Sequence, residues 1–296
     1  MHLSSRLFWL PESSARMQLV YKGSVNRWEC DENDHMNVRF YSRKLSETLF
    51  GGVRELGISS GLGFDDVIGS LTSQHIRYLK EARVATPLEG YAGVIEDNQL
   101  LTEIRESSSG EVLCASVNTL RGFEMKSSHE LPPYAGPRGL TDTDLRFSGI
   151  HLQGAKDLGF RTIGKGVIHQ DECMKNGRLQ LFHYMGRFSD SMPNLWGVLY
   201  PEATSETQGG AVVEYRMDYG PPLRFGDRYE LVSGFRGAGA KTIHFVHLLF
   251  NSDSQQCCVS GESIGMRMDL VHRKAIEIAP SLRKTLEQLA IRSKTN

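Results

Sequence analysis

From residue 38 the apolar positions recur at intervals of three and four: Val38, Tyr41, Leu45, Leu49, Val53 and Leu56. That spacing places them on one face and predicts a helix ending near Gly57. Before it, residues 18–28 carry Leu19, Tyr21, Val25 and Trp28 among polar partners, the pattern of a half-buried strand. Further strands are expected at 70–78, 88–95, 100–106 and 112–123, separated by turn chemistry at Glu96-Asp97-Asn98 and Ser107-Ser108-Ser109-Gly110. The second half repeats the order. Residues 167–169 close a strand, 177–196 read as a helix, and 208–216, 229–235, 242–250 and 257–268 read as strands. Consecutive strands joined by short turns make an antiparallel meander, and one long helix per half would cover one sheet face. The fold class is α+β.

Repetition reinforces this division. Asn37, Arg39 and Arg77 each stand 139 residues before a matching residue, Asn176, Arg178 and Arg216 (176 − 37 = 178 − 39 = 216 − 77 = 139). Between the halves, Ser127-Ser128, Pro132-Pro133 and Gly136-Pro137 break regular structure and mark a linker. Two domains are expected, at 1–135 and 150–296. The second ends in an amphipathic helix at 280–291, begun by Pro280 and carrying Leu282, Leu286 and Leu289.

The 296 residues have a formal charge of −1 and carry no acidic or basic block, which argues against nucleic-acid binding or an electrostatic membrane surface. The apolar patch Leu7 to Leu10 is too short for a signal-peptide core, and no run is long enough to span a bilayer, so a cytoplasmic location is expected. Five cysteines without a Cys-x-x-Cys pair indicate neither a disulfide framework nor a zinc site. Cys30 and Cys173 are read as buried small hydrophobes. His244 and His247, three apart on a strand, face opposite ways and make a poor metal pair.

The chemistry concentrates in Asp31-Glu32-Asn33-Asp34-His35-Met36-Asn37, at the junction of strand and helix. Such residues also cap helices and turn chains without further purpose. Asn37 is the expected N-cap. A carboxylate six residues upstream lies near the unpaired helix amides, which favour developing negative charge, an arrangement suited to attack on a carbonyl.

Asp31-x-Asn33-x-His35-x-Asn37, followed by Tyr41, resembles the signature of hot-dog-fold thioesterases, including the 4-hydroxybenzoyl-CoA thioesterase group and the plant acyl-ACP thioesterases. The resemblance implies two tandem hot-dog domains, each a sheet wrapped around one helix, acting on an acyl-CoA or acyl-carrier-protein thioester with no cofactor. Pro221-Pro222-Leu223-Arg224-Phe225-Gly226-Asp227 resembles the family's turn after the helix. Asp31 would be nucleophile or general base, Asn33 and His35 would position water or the carboxylate, and the amides of Val38 and Arg39 would stabilise the oxyanion. Glu47 on the helix is a minor alternative. At the 139-residue offset Gln170, Glu172 and Met174 replace the triplet, so the second copy reads as degenerate, with Asp171 or Glu172 serving only if its loop is shifted. Residues near Asn176 and Asp190 would complete the first site, and a homo-oligomer is in keeping with the family. Arg77, Lys80, Arg83 and Arg121 are candidates for the pantetheine phosphates, against surface solvation. Two rivals remain: a hot-dog enoyl-CoA hydratase, whose His falls one residue later after Asn-Pro, and a non-catalytic acyl-CoA-binding protein.

Overall fold

The computed structural model describes residues 17–58, 61–125, 129–141, 147, 149–199 and 207–292. The apolar patch Leu7 to Leu10 and the pair Ser127-Ser128 lie outside them. In the first half β1 (Gln18–Ser24) leads through a 3-10 turn (Arg27–Glu29) to α1 (Val38–Glu55), the short α2 (Phe64–Gly69), and strands β2 (Leu71–Tyr78), β3 (Pro87–Glu96), β4 (Gln99–Glu106) and β5 (Val112–Leu120). The second half opens with α3 (Leu152–Asp157) and β6 (Arg161–Val167). A 3-10 turn (Gln170–Glu172), α4 (Leu181–Asp190) and α5 (Met192–Leu199) follow, then β7 (Gln208–Tyr219), β8 (Arg228–Ala238), β9 (Thr242–Asn251), β10 (Cys257–Asp269), β11 (Lys274–Ala275) and α6 (Pro280–Gln288).

The strands form one sheet in the order β1-β3-β4-β5-β2-β7-β10-β9-β8-β6, with β11 on β10. The halves join where β2 meets β7 antiparallel, pairing Ser73 with Asp218, His75 with Arg216 and Arg77 with Glu214. Tyr41, Leu45, Leu49 and Val53 of α1 are buried against the first half-sheet, as their spacing requires, and Gly57 follows the helix at φ +66°. Phe188 of α4 stacks on Tyr215 and His247 of the second half-sheet, and α4 packs on α1. Gly186 permits the approach: a Cβ there would stand 2.9 Å from Arg39 Cδ.

The repeat is real, but its register is not 139. The helix starts are 143 apart (181 − 38), as are the 3-10 turns (170 − 27). Glu29 meets Lys44 at 3.0 Å, and 143 residues on Glu172 meets Arg187 at 2.6 and 2.7 Å, so each half ties its turn to its helix with the same ion pair. The Tyr41 hydroxyl accepts the Ala82 amide at 2.8 Å, while that of Tyr184 accepts the Leu223 amide at 3.0 Å, an offset of 141 on the strand side (223 − 82). Corrected this way, Asn176 corresponds to Asn33 and Met174 to Asp31. Asn176 is therefore not the cap; Gln180 is, without a side-chain cap bond. The expected helix 177–196 is two helices, interrupted at Ser191.

Segment 129–141 lies on the face opposite α1 and α4. Arg77 donates to Gly136 O at 2.7 Å, and the amides of Arg138, Gly139 and Leu140 donate to the Glu214 carboxylate at 3.0, 2.7 and 3.3 Å. No described helix is long and apolar enough to cross a membrane.

Candidate active site

The turn before α1 is built by Asp31. Its Oδ1 accepts the amides of Asn33 at 2.9 Å and His35 at 3.1 Å, and its own amide donates to His35 O at 2.8 Å. Asp34 completes the turn at φ +60°, a left-handed position that Gly177 occupies in the second copy at φ +76°. With Oδ1 committed to the turn, Oδ2 is the carboxylate oxygen that has no partner among the described residues. Asn37 caps α1: its Oδ1 accepts the Arg39 amide at 2.9 Å, and its Nδ2 reaches Ser189 Oγ at 3.4 Å on α4.

Asp31 and Glu32, with Asn37 and Val38, line a cavity of about 470 Å³ whose other walls come from the second half. Ser189, Asp190, Met192, Pro193 and Trp196 form the helical wall; Val212, Tyr215, Ile243, Phe245, Ser263 and Gly265 form the sheet side. Trp196 stands edge-on to Phe245 at 5.7 Å. Gly210 is exposed, whereas Tyr215, Phe245 and Ser263 are buried, so the cavity opens at the start of β7 and closes inward. At the closed end Phe188 fills the next row of the sheet, where a Cβ on Gly261 would come within 2.6 Å of its ring. A polar rim and an apolar, aromatic interior suit a ligand with a reactive polar end and a hydrocarbon body.

The predicted residues divide. Asp31, Asn37, Val38 and Asp190 meet at the cavity. Asn33 is exposed, and its backbone amide donates to Asp31 Oδ1. His35 is buried but does not line the cavity; its Nε2 lies 3.5 Å from Glu81 Oε2. Burial foremost, then the Arg273 guanidinium, pushes its pKa down. Of the two expected oxyanion donors, the Arg39 amide is already spent on Asn37, which leaves the Val38 amide without a protein acceptor among the described residues. The Arg39 side chain turns away to His183 Nδ1 at 2.8 Å and lies 3.9 Å from Asp190. Burial, then Arg39, lowers the His183 pKa to about 4.

Glu47 is held by Arg43 at 3.2 Å and does not line the cavity. Its repeat partner at the 143-residue offset is Asp190, which does. Sequence spacing carried that signal, and the 139 register hid it. Asp171 is exposed and lines no described cavity, and both oxygens of Glu172 are engaged by Arg187. Asn176 is exposed, its amide bound to Asp65 Oδ2 at 2.9 Å. The space beside Met174, partly lined by Ile68, Gly69 and Leu71, shrinks to about 60 Å³. Of the basic candidates, Arg77 clasps Gly136, Lys80 pairs with Glu111, and Arg83 and Arg121 are exposed. A larger cleft of about 800 Å³ opens on the face away from α1 and α4, but its Glu214 is already satisfied by His75 at 2.9 Å and by the amides of 138–140.

A meander around a central helix, duplicated and joined edge to edge, is the tandem hot-dog fold. Residues 172–286 match the family model of the thioesterase-like superfamily. The chain is similar to three solved structures at 12% identity each. A candidate oleoyl thioesterase from Lactobacillus plantarum matches over 85% of this chain and 97% of its own, with a TM-score of 0.58. The 12:0-ACP thioesterase from Umbellularia californica matches over 83% and 93%, at 0.55. An acyl-ACP thioesterase from Bacteroides thetaiotaomicron matches over 83% and 96%, also at 0.55. At that identity the likeness establishes the fold. No match was found among curated protein sequences.

Proposed function

We propose that this chain hydrolyses acyl thioesters of coenzyme A or an acyl carrier protein, with Asp31 of the first half as the acting carboxylate and the cavity of the second half as the acyl site. One observation carries the reading. The turn that ties down Asp31 Oδ1 leaves Oδ2 with no partner among the described residues, and Asp31 and Val38 line the same largely apolar chamber.

In the reaction, Oδ2 either attacks the thioester carbon, giving a mixed anhydride and free thiolate that water then resolves, or takes a proton from a water that attacks directly. In both routes negative charge develops on the carbonyl oxygen, and the Val38 amide at the positive end of α1 is the donor placed to receive it. The thiolate leaves without a dedicated general acid. The polar rim of Asp31, Asn37, Ser189 and Asp190 would hold the thioester, with the hydrocarbon beneath α5. Lining positions from Arg267 to Ser263 span about 13 Å at roughly 3.3 Å per residue.

The test is thiol release from a panel of short, medium, long and aromatic acyl-CoAs and acyl carrier proteins, comparing the native chain with Asp31→Asn. We expect turnover in the native chain and a loss of about 100-fold or more in kcat for the variant, with an unchanged melting temperature. Near-native turnover in the variant would remove Asp31 from the chemistry, and tight acyl-CoA binding without thiol release would make the chain a binding module.

A further inference from the structure

The Asp31 turn is gripped from outside by the second half. His35, at the end of that turn, is 7% exposed, and its Nε2 has no hydrogen-bond partner among the described residues although Glu81 Oε2 stands 3.5 Å away. The same oxygen, Glu81 Oε2, forms an ion pair with Arg273. Arg273 belongs to the turn between β10 and β11. Asp269 Oδ1 accepts the amides of Val271 and His272 there, each at 2.9 Å, while Oδ2 meets His272 Nδ1 at 2.8 Å, and Arg273 itself sits at φ +53°. A residue without glycine's freedom held in the left-handed region marks a turn fixed by its surroundings.

The charged groups facing His35 come from three places. Asp31 and Asp34 lie on its own turn, Glu81 and Arg83 follow β2, and Arg273 reaches across from the second half. We infer that Arg273 is a positioning residue for the Asp31 site: it engages the Glu81 oxygen that stands 3.5 Å from His35 Nε2, so that this carboxylate makes no hydrogen bond to the imidazole. A glutamate free to close on Nε2 would stabilise imidazolium, and a cation next to Asp31 would make its carboxylate a poorer base and nucleophile. The inference rests on the reading of Asp31 as the acting carboxylate, and it assigns the second half a role in the motif beyond walling the chamber.

The experiment uses the full chain as native protein, Arg273→Ala and Arg273→Lys. His35 is titrated by NMR through its ring carbon-bound protons, assigned with His35→Gln, and the pH profile of kcat/KM is recorded in parallel. In Arg273→Ala the His35 midpoint should rise by several tenths of a pH unit, and the acid limb of kcat/KM should rise with it. Lysine, which can still hold Glu81, should return both toward native values. An unmoved midpoint in Arg273→Ala, or an equal rise in Arg273→Lys, overturns the inference. The NMR midpoint reports on this contact whether or not thioester turns over, so absence of activity in the native chain counts against the Asp31 reading alone.

Discussion

The residues with the most extreme environments in this chain are structural, and Glu214 is the clearest. Burial alone would raise its pKa, but hydrogen bonds from His75 and from the amides of Arg138 and Gly139 outweigh it and hold the carboxyl down at about 2. A folded pKa below the unfolded value contributes stability that is present above about pH 4.5 and is lost as pH falls towards 2. Melting temperature measured from pH 6 to pH 2.5 should therefore fall more steeply for the native chain than for Glu214→Gln, which has no proton to bind there. Nothing in the sequence marked Glu214, because its partners come from a segment 74 to 76 residues away and from the other half. Asp31 was legible because its partners are local: a turn that a carboxylate closes on its own amides is written in five consecutive residues.

At the scale of elements, apolar spacing placed α1 well and α4 poorly. Helix α1 is a single amphipathic run, whereas α4 stops at Asp190 and α5 restarts at Met192, so a continuous period through 177–196 overlooked the break at Ser191. That break has a use. It lets α5 leave the axis of α4 and set Trp196 across the chamber against Phe245. We expect Trp196→Ala to deepen the chamber and move the ratio of kcat/KM for long over medium acyl chains upward by about 10-fold, measured by thiol release across a chain-length series. The repeat register was missed for a related reason. Three matched residues fixed 139, while the ion pairs Glu29 to Lys44 and Glu172 to Arg187, which fix 143, require knowing that a 3-10 turn lies over a helix.

For the whole molecule, the join at β2 and β7 makes ten strands one path through the sheet. The cavity crosses that join, with the carboxylate on one side and the hydrocarbon walls on the other. Each half produced separately would bare the pairing edge of β2 or β7, which invites association with another strand. We expect residues 1–141 alone to run as dimers or larger species by light scattering, and a mixture of the two halves to recover the size of the intact chain. That two halves exist was legible from the order of strands and helices. That they line one cavity was not, since no periodicity shows which helix faces which turn.

The 60 Å³ space beside Met174 and the 470 Å³ cavity beside Asp31 make the two halves unequal. A symmetric pair of identical subunits would have carried two equal sites, each needing both a working turn and a working chamber from the same gene. In a single chain each half is free to lack one of those parts. The first could fill its own chamber with Ile68 and Leu71, and the second could trade its carboxylate for Met174, without loss to the other. The expected result is a fixed stoichiometry of one acyl group for each chain.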